Sequence, residues 1–147
     1  MRRLLCKVLG LLLLSMACAS AYMNERLVLI ASADSPIDQL DSIEVRRLFL
    51  GMNVTHDGIR LRALLNEADS QVRSVFLQNV VAMTDTVYDR RVLRLAMAGE
   101  ITLPPIYTDK RALLAAVAAN KTAISYAWER DVQQDKRIKI LRTLWHD

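Results

Sequence analysis

Apolar runs of strand length that alternate with capped, amphipathic segments predict an α/β fold, a three-layer sandwich with helices on both faces of one sheet. Three observations point there. Leu27 to Ala31 is a continuous apolar run and Ala123 to Trp128 a further strand candidate. Between them, four segments carry apolar residues at helical spacing. A chain of 147 residues that is 52% hydrophobic and has only four Gly makes one domain of ordinary size and not a disordered tail.

At the N-terminus, Arg2, Arg3 and Lys7 precede the uncharged run Val8 to Leu14, and Ala19-Ser20-Ala21 supplies small residues at alternate positions. This is the succession of a secretory signal peptide over residues 1–21, cleaved after Ala21, with the folded domain over 22–147. Val8 to Met16 is well short of the roughly 20 apolar residues of a spanning helix. A lipoprotein alternative exists at Ser15-Met16-Ala17-Cys18, with Leu14 one position out of place and Cys18 as the anchor. Cleavage after Ala21 removes three basic and no acidic residues, so the formal charge falls from +4 to +1 over 126 residues. Nucleic-acid binding thereby loses its electrostatic support. Both cysteines, Cys6 and Cys18, leave with the signal. No disulfide, thiol nucleophile or thiolate metal site then remains, and the core alone must hold the domain. The sequons at Asn53 and Asn120 are read as chance matches.

Leu27 to Ala31 fits a strand buried on both faces, as in a parallel sheet covered by helices. Asp41 and Glu44 have capping-box spacing and Leu40 and Val45 the spacing of a hydrophobic staple, which predicts a helix from about Ser42 to Leu50. Val45, Leu48, Phe49 and Met52 form its apolar stripe, Arg46 and Arg47 lie off it, and Gly51 stops it. Leu61 to Leu65 reads as a short strand. Asn66-Glu67-Ala68-Asp69-Ser70 leads into a helix with Val72, Val75, Phe76, Val80 and Met83 inward. Thr84 caps the next helix, with Val87, Tyr88, Val92, Leu95 and Ala96 inward and Gly99 at its end. Pro104-Pro105 forces an extended connection, and Asp109 caps a helix burying Leu113, Leu114, Val117 and Ala118. Ala123 to Trp128 and Ile138 to Leu141 complete the strands.

The glycines are scattered, so no nucleotide-type phosphate loop exists. His56 and His146 lack the partners of a zinc site and read as surface residues. Asp85 and Asp89 are four residues apart on a helix beside Arg90 and Arg91, which a solvated face explains. No serine occupies a nucleophile elbow. Neither an enzyme, a cofactor nor a metal is expected. One junction retains chemistry. At Asp69-Ser70-Gln71-Val72-Arg73, free amides at a positive helix end, a hydroxyl and a guanidinium can converge on an anion. The plainer alternative is that Ser70 is an N-cap and Arg73 a solvated or salt-bridged residue.

Several strings resemble the phosphate-binding, substrate-binding proteins of ABC transporters, in particular short relatives with a reduced periplasmic-binding-protein fold. They are LDSIEVRRLFLG over Leu40 to Gly51, EADSQVRSVF over Glu67 to Phe76, GEITLPP over Gly99 to Pro105 and NKTAISY over Asn120 to Tyr126. The resemblance implies a sandwich of the periplasmic-binding-protein type reduced to about one lobe, in the periplasm. It implies recognition of phosphate or a similar small anion for transport or sensing. An envelope protein, a transporter permease or membrane sensor, is the implied partner. Ser70 and Arg73 are the expected ligand contacts, with a Gln71 backbone amide and Asp69 as acceptor for a protonated phosphate. Where the family's strong sites carry Ser-Gly-Thr, this chain has Ser70-Gln71-Val72, which adds a side chain and removes a hydroxyl donor. The alternative function is an interaction or signalling module of the envelope that has lost the phosphate site.

The signal reading is checked by intact mass. Protein recovered from the cell envelope is expected to begin at Tyr22. A chain beginning at Met1 contradicts it, and one beginning at a lipid-modified Cys18 establishes the lipoprotein alternative.

Overall fold

The computed structural model describes residues 25–147; the expected signal peptide over 1–21, with Cys6 and Cys18, lies outside the described residues. The first element is β1, Arg26–Ser32, followed by α1, Ser42–Phe49. Asp41 caps α1 as its spacing predicts. Its Oδ1 accepts the Glu44 N–H at 2.7 Å and the Glu44 carboxylate accepts the Asp41 N–H at 3.0 Å. Leu40 and Val45 are both buried beside this cap. Gly51, at φ +82°, ends the helix in a conformation that L side chains avoid.

A hairpin of β2, Thr55–His56, and β3, Ile59–Arg60, leads into β4, Arg62–Ala63, and β5, Leu65–Asn66. The helix α2, Ser70–Phe76, continues into a π-helical turn, Leu77–Val81, which Ala82 ends at φ +61°. The apolar spacing from Val72 to Met83 predicts one regular helix there. The wider turn brings Leu77 and Val81 inward, which regular 3.6-residue spacing from Val72 and Val80 does not anticipate. Next come α3, Asp85–Met97, capped by Thr84, then β6, Ile106–Tyr107, and α4, Lys110–Ala119, capped by Asp109. The chain ends with β7, Ala123–Trp128, the single turn α5, Glu129–Val132, and β8, Ile138–His146.

The main sheet has the order β4-β7-β1-β8. β4 runs parallel to β7, and β5 parallel to β6. β1, however, is antiparallel to both β7 and β8, which corrects the parallel setting expected of it. Its continuous apolar character comes from helices on both faces, and this requirement holds for either strand direction. Leu27 and Leu29 pack on one face with Ile124, Tyr126, Phe49, Phe76 and Tyr88. Val28 and Ile30 pack on the other with Ala127, Leu113, Val117 and Val132. The three layers are therefore α1, α2 and α3, then the sheet, then α4 and α5. Val87 departs from its expected inward place and is 51% exposed, because α3 lies on Tyr88 and Val92.

An aromatic group marks the centre of the first layer. Phe76 stacks on Tyr126 with ring centroids 3.7 Å apart, and Phe49 meets both edge-on. The Tyr126 hydroxyl donates to the Asn66 carbonyl at 3.0 Å, and the Asn66 side-chain amide donates to the Tyr126 carbonyl at 2.9 Å. Burial pushes the Tyr126 hydroxyl far above its ordinary pKa, so it stays a donor. This pair ties the end of β5 to β7 and gives the buried Tyr126 hydroxyl and Asn66 amide their partners.

His56 differs from its expected role as a plain surface residue. Its Nδ1 lies 2.8 Å from Glu44 Oε1, which ties the β2–β3 hairpin to the first turn of α1. The hydrogen bond to Glu44 raises its pKa above 6.5, against a smaller opposing effect of burial. A raised folded pKa makes the contribution to stability complete below about pH 6.5 and lost as the pH climbs through the folded value. Thermal melts from about pH 5.5 to about pH 8.5 should therefore show wild type losing its advantage over His56→Gln as pH rises. A difference independent of pH would show that the pair does not contribute through titration.

Candidate functional site

The carboxyl ends of the parallel strands β5, β6 and β7 lead into α2, α4 and α5 respectively. Three helix starts thus gather at the carboxyl ends of these strands, where open α/β folds place their ligands. All four residues singled out in the sequence lie at the first of these starts.

Asp69, and not Ser70, is the N-cap of α2. Its Oδ1 accepts the Gln71 N–H at 2.8 Å and its Oδ2 accepts the Trp128 indole N–H at 3.1 Å. A carboxylate satisfies a free amide at the positive helix end more strongly than a hydroxyl does. The aspartate therefore holds the place in which an anion would accept that amide. Ser70 becomes the first helical residue and is exposed with Gln71.

Arg73 lies one turn further on, with 12% of its side chain exposed, among three carboxylates. Its Nε is 2.9 Å from Glu67, Nη1 3.1 Å from Asp85 and Nη2 2.5 Å from Asp89. The Ser74 hydroxyl adds a bond to Asp85 at 3.1 Å. Burial alone would lower the Arg73 pKa, but the charges of Asp89, Glu67 and Asp85 outweigh it and hold the guanidinium above its ordinary value. One cation facing three anions leaves a local charge of −2, which repels a further anion. Asp85 and Asp89, read from the sequence as a solvated face, are the partners that commit this arginine.

Beside Asp69 is a polar cavity of about 270 Å³ lined by Asn66, Val72, Lys110, Trp128, Arg130 and Asp131. Its cations are also engaged. Lys110 Nζ is 2.9 Å from Asp131, and Arg130 pairs with Glu25 while lying 5.5 Å from the centre of the Trp128 ring. Lys110 and Arg130 were not anticipated. They lie in the first turns of the helices after β6 and β7, and marking the first-turn residues after every parallel strand would have found them. Among the described residues no group of three or more His, Cys, Asp and Glu is placed to hold a metal ion.

The cage around Arg73 makes a prediction about stability. Arg73→Ala removes the cation that faces three acids and should lower the unfolding free energy by about 1–3 kcal/mol in urea denaturation. A loss of about 0.5 kcal/mol or less is the value for a solvated helix face and would contradict the cage.

No protein-family model matches the chain, and no curated protein matches it. Solved structures do match in fold. An ABC-type phosphate transport receptor from Vibrio cholerae aligns with a TM-score of 0.60 at 13% identity, over 81% of this chain and 46% of the receptor. PstS from Borrelia burgdorferi aligns at 0.57 and 11% identity, over 80% of this chain and 47% of PstS. A possible phosphate binding protein from Planctomyces limnophilus aligns at 0.55 and 11% identity, over 81% and 41%. The chain spans less than half the length of each of these. Its described residues have the mixed α/β architecture of about one lobe of the phosphate ABC transporter substrate-binding proteins.

Proposed function

We propose that this chain is an exported, non-catalytic lobe of the substrate-binding-protein type that acts as an interaction or signalling module of the cell envelope, its anion site closed by its own residues. One observation carries the reading: the Asp69 carboxylate occupies the α2 amide while Arg73 is consumed by Glu67, Asp85 and Asp89. The two groups that would recognise phosphate are engaged internally, and the field they leave is negative. Leu93, Met97 and Leu103 are half-exposed or more, and so is Ile106 on the edge strand β6. Apolar side chains of this size and an open strand edge suit contact with another protein, such as a transporter permease or a membrane sensor.

A second reading has its own support. The cavity beside Asp69 contains Lys110 and Arg130, and a protonated phosphate could donate to Asp69 while displacing the pairs to Asp131 and Glu25. Calorimetric titration of residues 22–147 with inorganic phosphate separates the two. Wild type is expected to give no saturable heat up to about 1 mM. Binding tighter than about 100 μM, weakened by roughly tenfold in Arg130→Ala, would replace the module reading with the phosphate reading.

A further inference from the structure

A second cavity lies at the opposite end of the β4–β7 strand pair from Asp69. It measures about 480 Å³ and is formed where β4 and β7 begin, against the end of α1 and the connector before β6. The extended segment Arg62 to Asn66 separates the two ends by roughly 13 Å, so this cavity shares no residue with the cavity beside Asp69.

Its lining is chemically divided. Arg60 and Arg62 supply two positive charges, and among the described residues no acidic side chain lines the cavity. Neither arginine has a carboxylate partner among the described residues, in contrast to Arg73. The Arg60 guanidinium bonds to the Asn53 side-chain oxygen, a neutral partner that orients it and leaves its charge uncompensated. Arg62 is held at the backbone, where its N–H donates to the Thr122 carbonyl at 2.9 Å, while its side chain is free of ion pairs. Met52 and Leu103 belong to the apolar part of the wall, with Pro104 and Pro105 beside them. The connector is fitted closely to α1, since a Cβ at Gly51 would come within 2.8 Å of Ile101.

From this arrangement we propose a second binding site, at Arg60 and Arg62, for a small amphipathic organic anion: one carboxylate-type head with an apolar body. Two uncompensated guanidiniums select the charge, because each charge-assisted bond is stronger than a neutral one. The apolar wall selects against a bare inorganic anion, which has no surface to bury there. The volume is in the range of small-molecule sites. This site is independent of the state of the α2 end.

Calorimetry with sodium octanoate tests it, with acetate as the head alone and 1-octanol as the body alone. Octanoate is expected to bind the wild-type domain with a Kd of about 1 mM or tighter and at least roughly tenfold better than acetate or octanol. Arg60→Ala with Arg62→Ala should weaken octanoate by at least roughly tenfold. Both arginines are exposed, so circular dichroism of the double variant should match wild type, and the single variants repeat the test if it does not. Octanoate binding that equals octanol binding, or that survives loss of both arginines, overturns the proposal. So does the absence of octanoate binding.

Discussion

The guanidinium of Arg73 is the junction through which the first helical layer is organised. It joins Glu67, in the loop after β5, to Asp85 and Asp89 on α3. It also lies 5.8 Å from the centre of the Tyr88 ring. The Tyr88 hydroxyl in turn donates to the Phe49 carbonyl at the end of α1. One side chain thereby couples three helices and the strand edge that feeds them. A charge this enclosed is stable only with partners, and three acids satisfy it while making the whole corner negative. That structural use of Arg73 is what makes it a poor anion receptor.

The strands present two ends of opposite electrostatic character. At the carboxyl ends of β5, β6 and β7, Asp69, Asp131 and Glu25 meet Lys110 and Arg130, and each cation has a partner. At the amino ends of β4 and β7, Arg60 and Arg62 have no carboxylate partner among the described residues. Helix starts would normally make the carboxyl edge the anion-seeking one. Here Asp69 cancels that tendency at α2, and the uncompensated positive charge is at the other end. The distribution of paired and unpaired cations, more than the positions of the helices, distinguishes the two cavities.

Local signals survived into the structure wherever the interaction is short-range. The box between Asp41 and Glu44, the caps at Thr84 and Asp109, the stop at Gly51 and the bounds of β7 depend on neighbours a few residues away, and each was readable in order. The π-helical turn was not, because the burial of Leu77 and Val81 depends on packing against α1 and β8. The direction of β1 was hidden for a different reason: a strand covered on both faces has the same apolar pattern whichever way its neighbours run.

The sequence by itself determined the α/β class, the order of most elements, the core-facing residues of β1, α1 and α4, and the junction at Asp69 to Arg73 as the place where chemistry could gather. Periodicity and capping act over one or two turns, so linear spacing suffices for these. Only the tertiary structure decided what that junction does. Whether Arg73 meets a ligand or an acid depends on Glu67, Asp85 and Asp89 arriving from two other segments. Whether Asp69 caps the helix or waits for a proton depends partly on Trp128, 59 positions away. Charge pairing is a property of distance in space, and sequence spacing has no record of it.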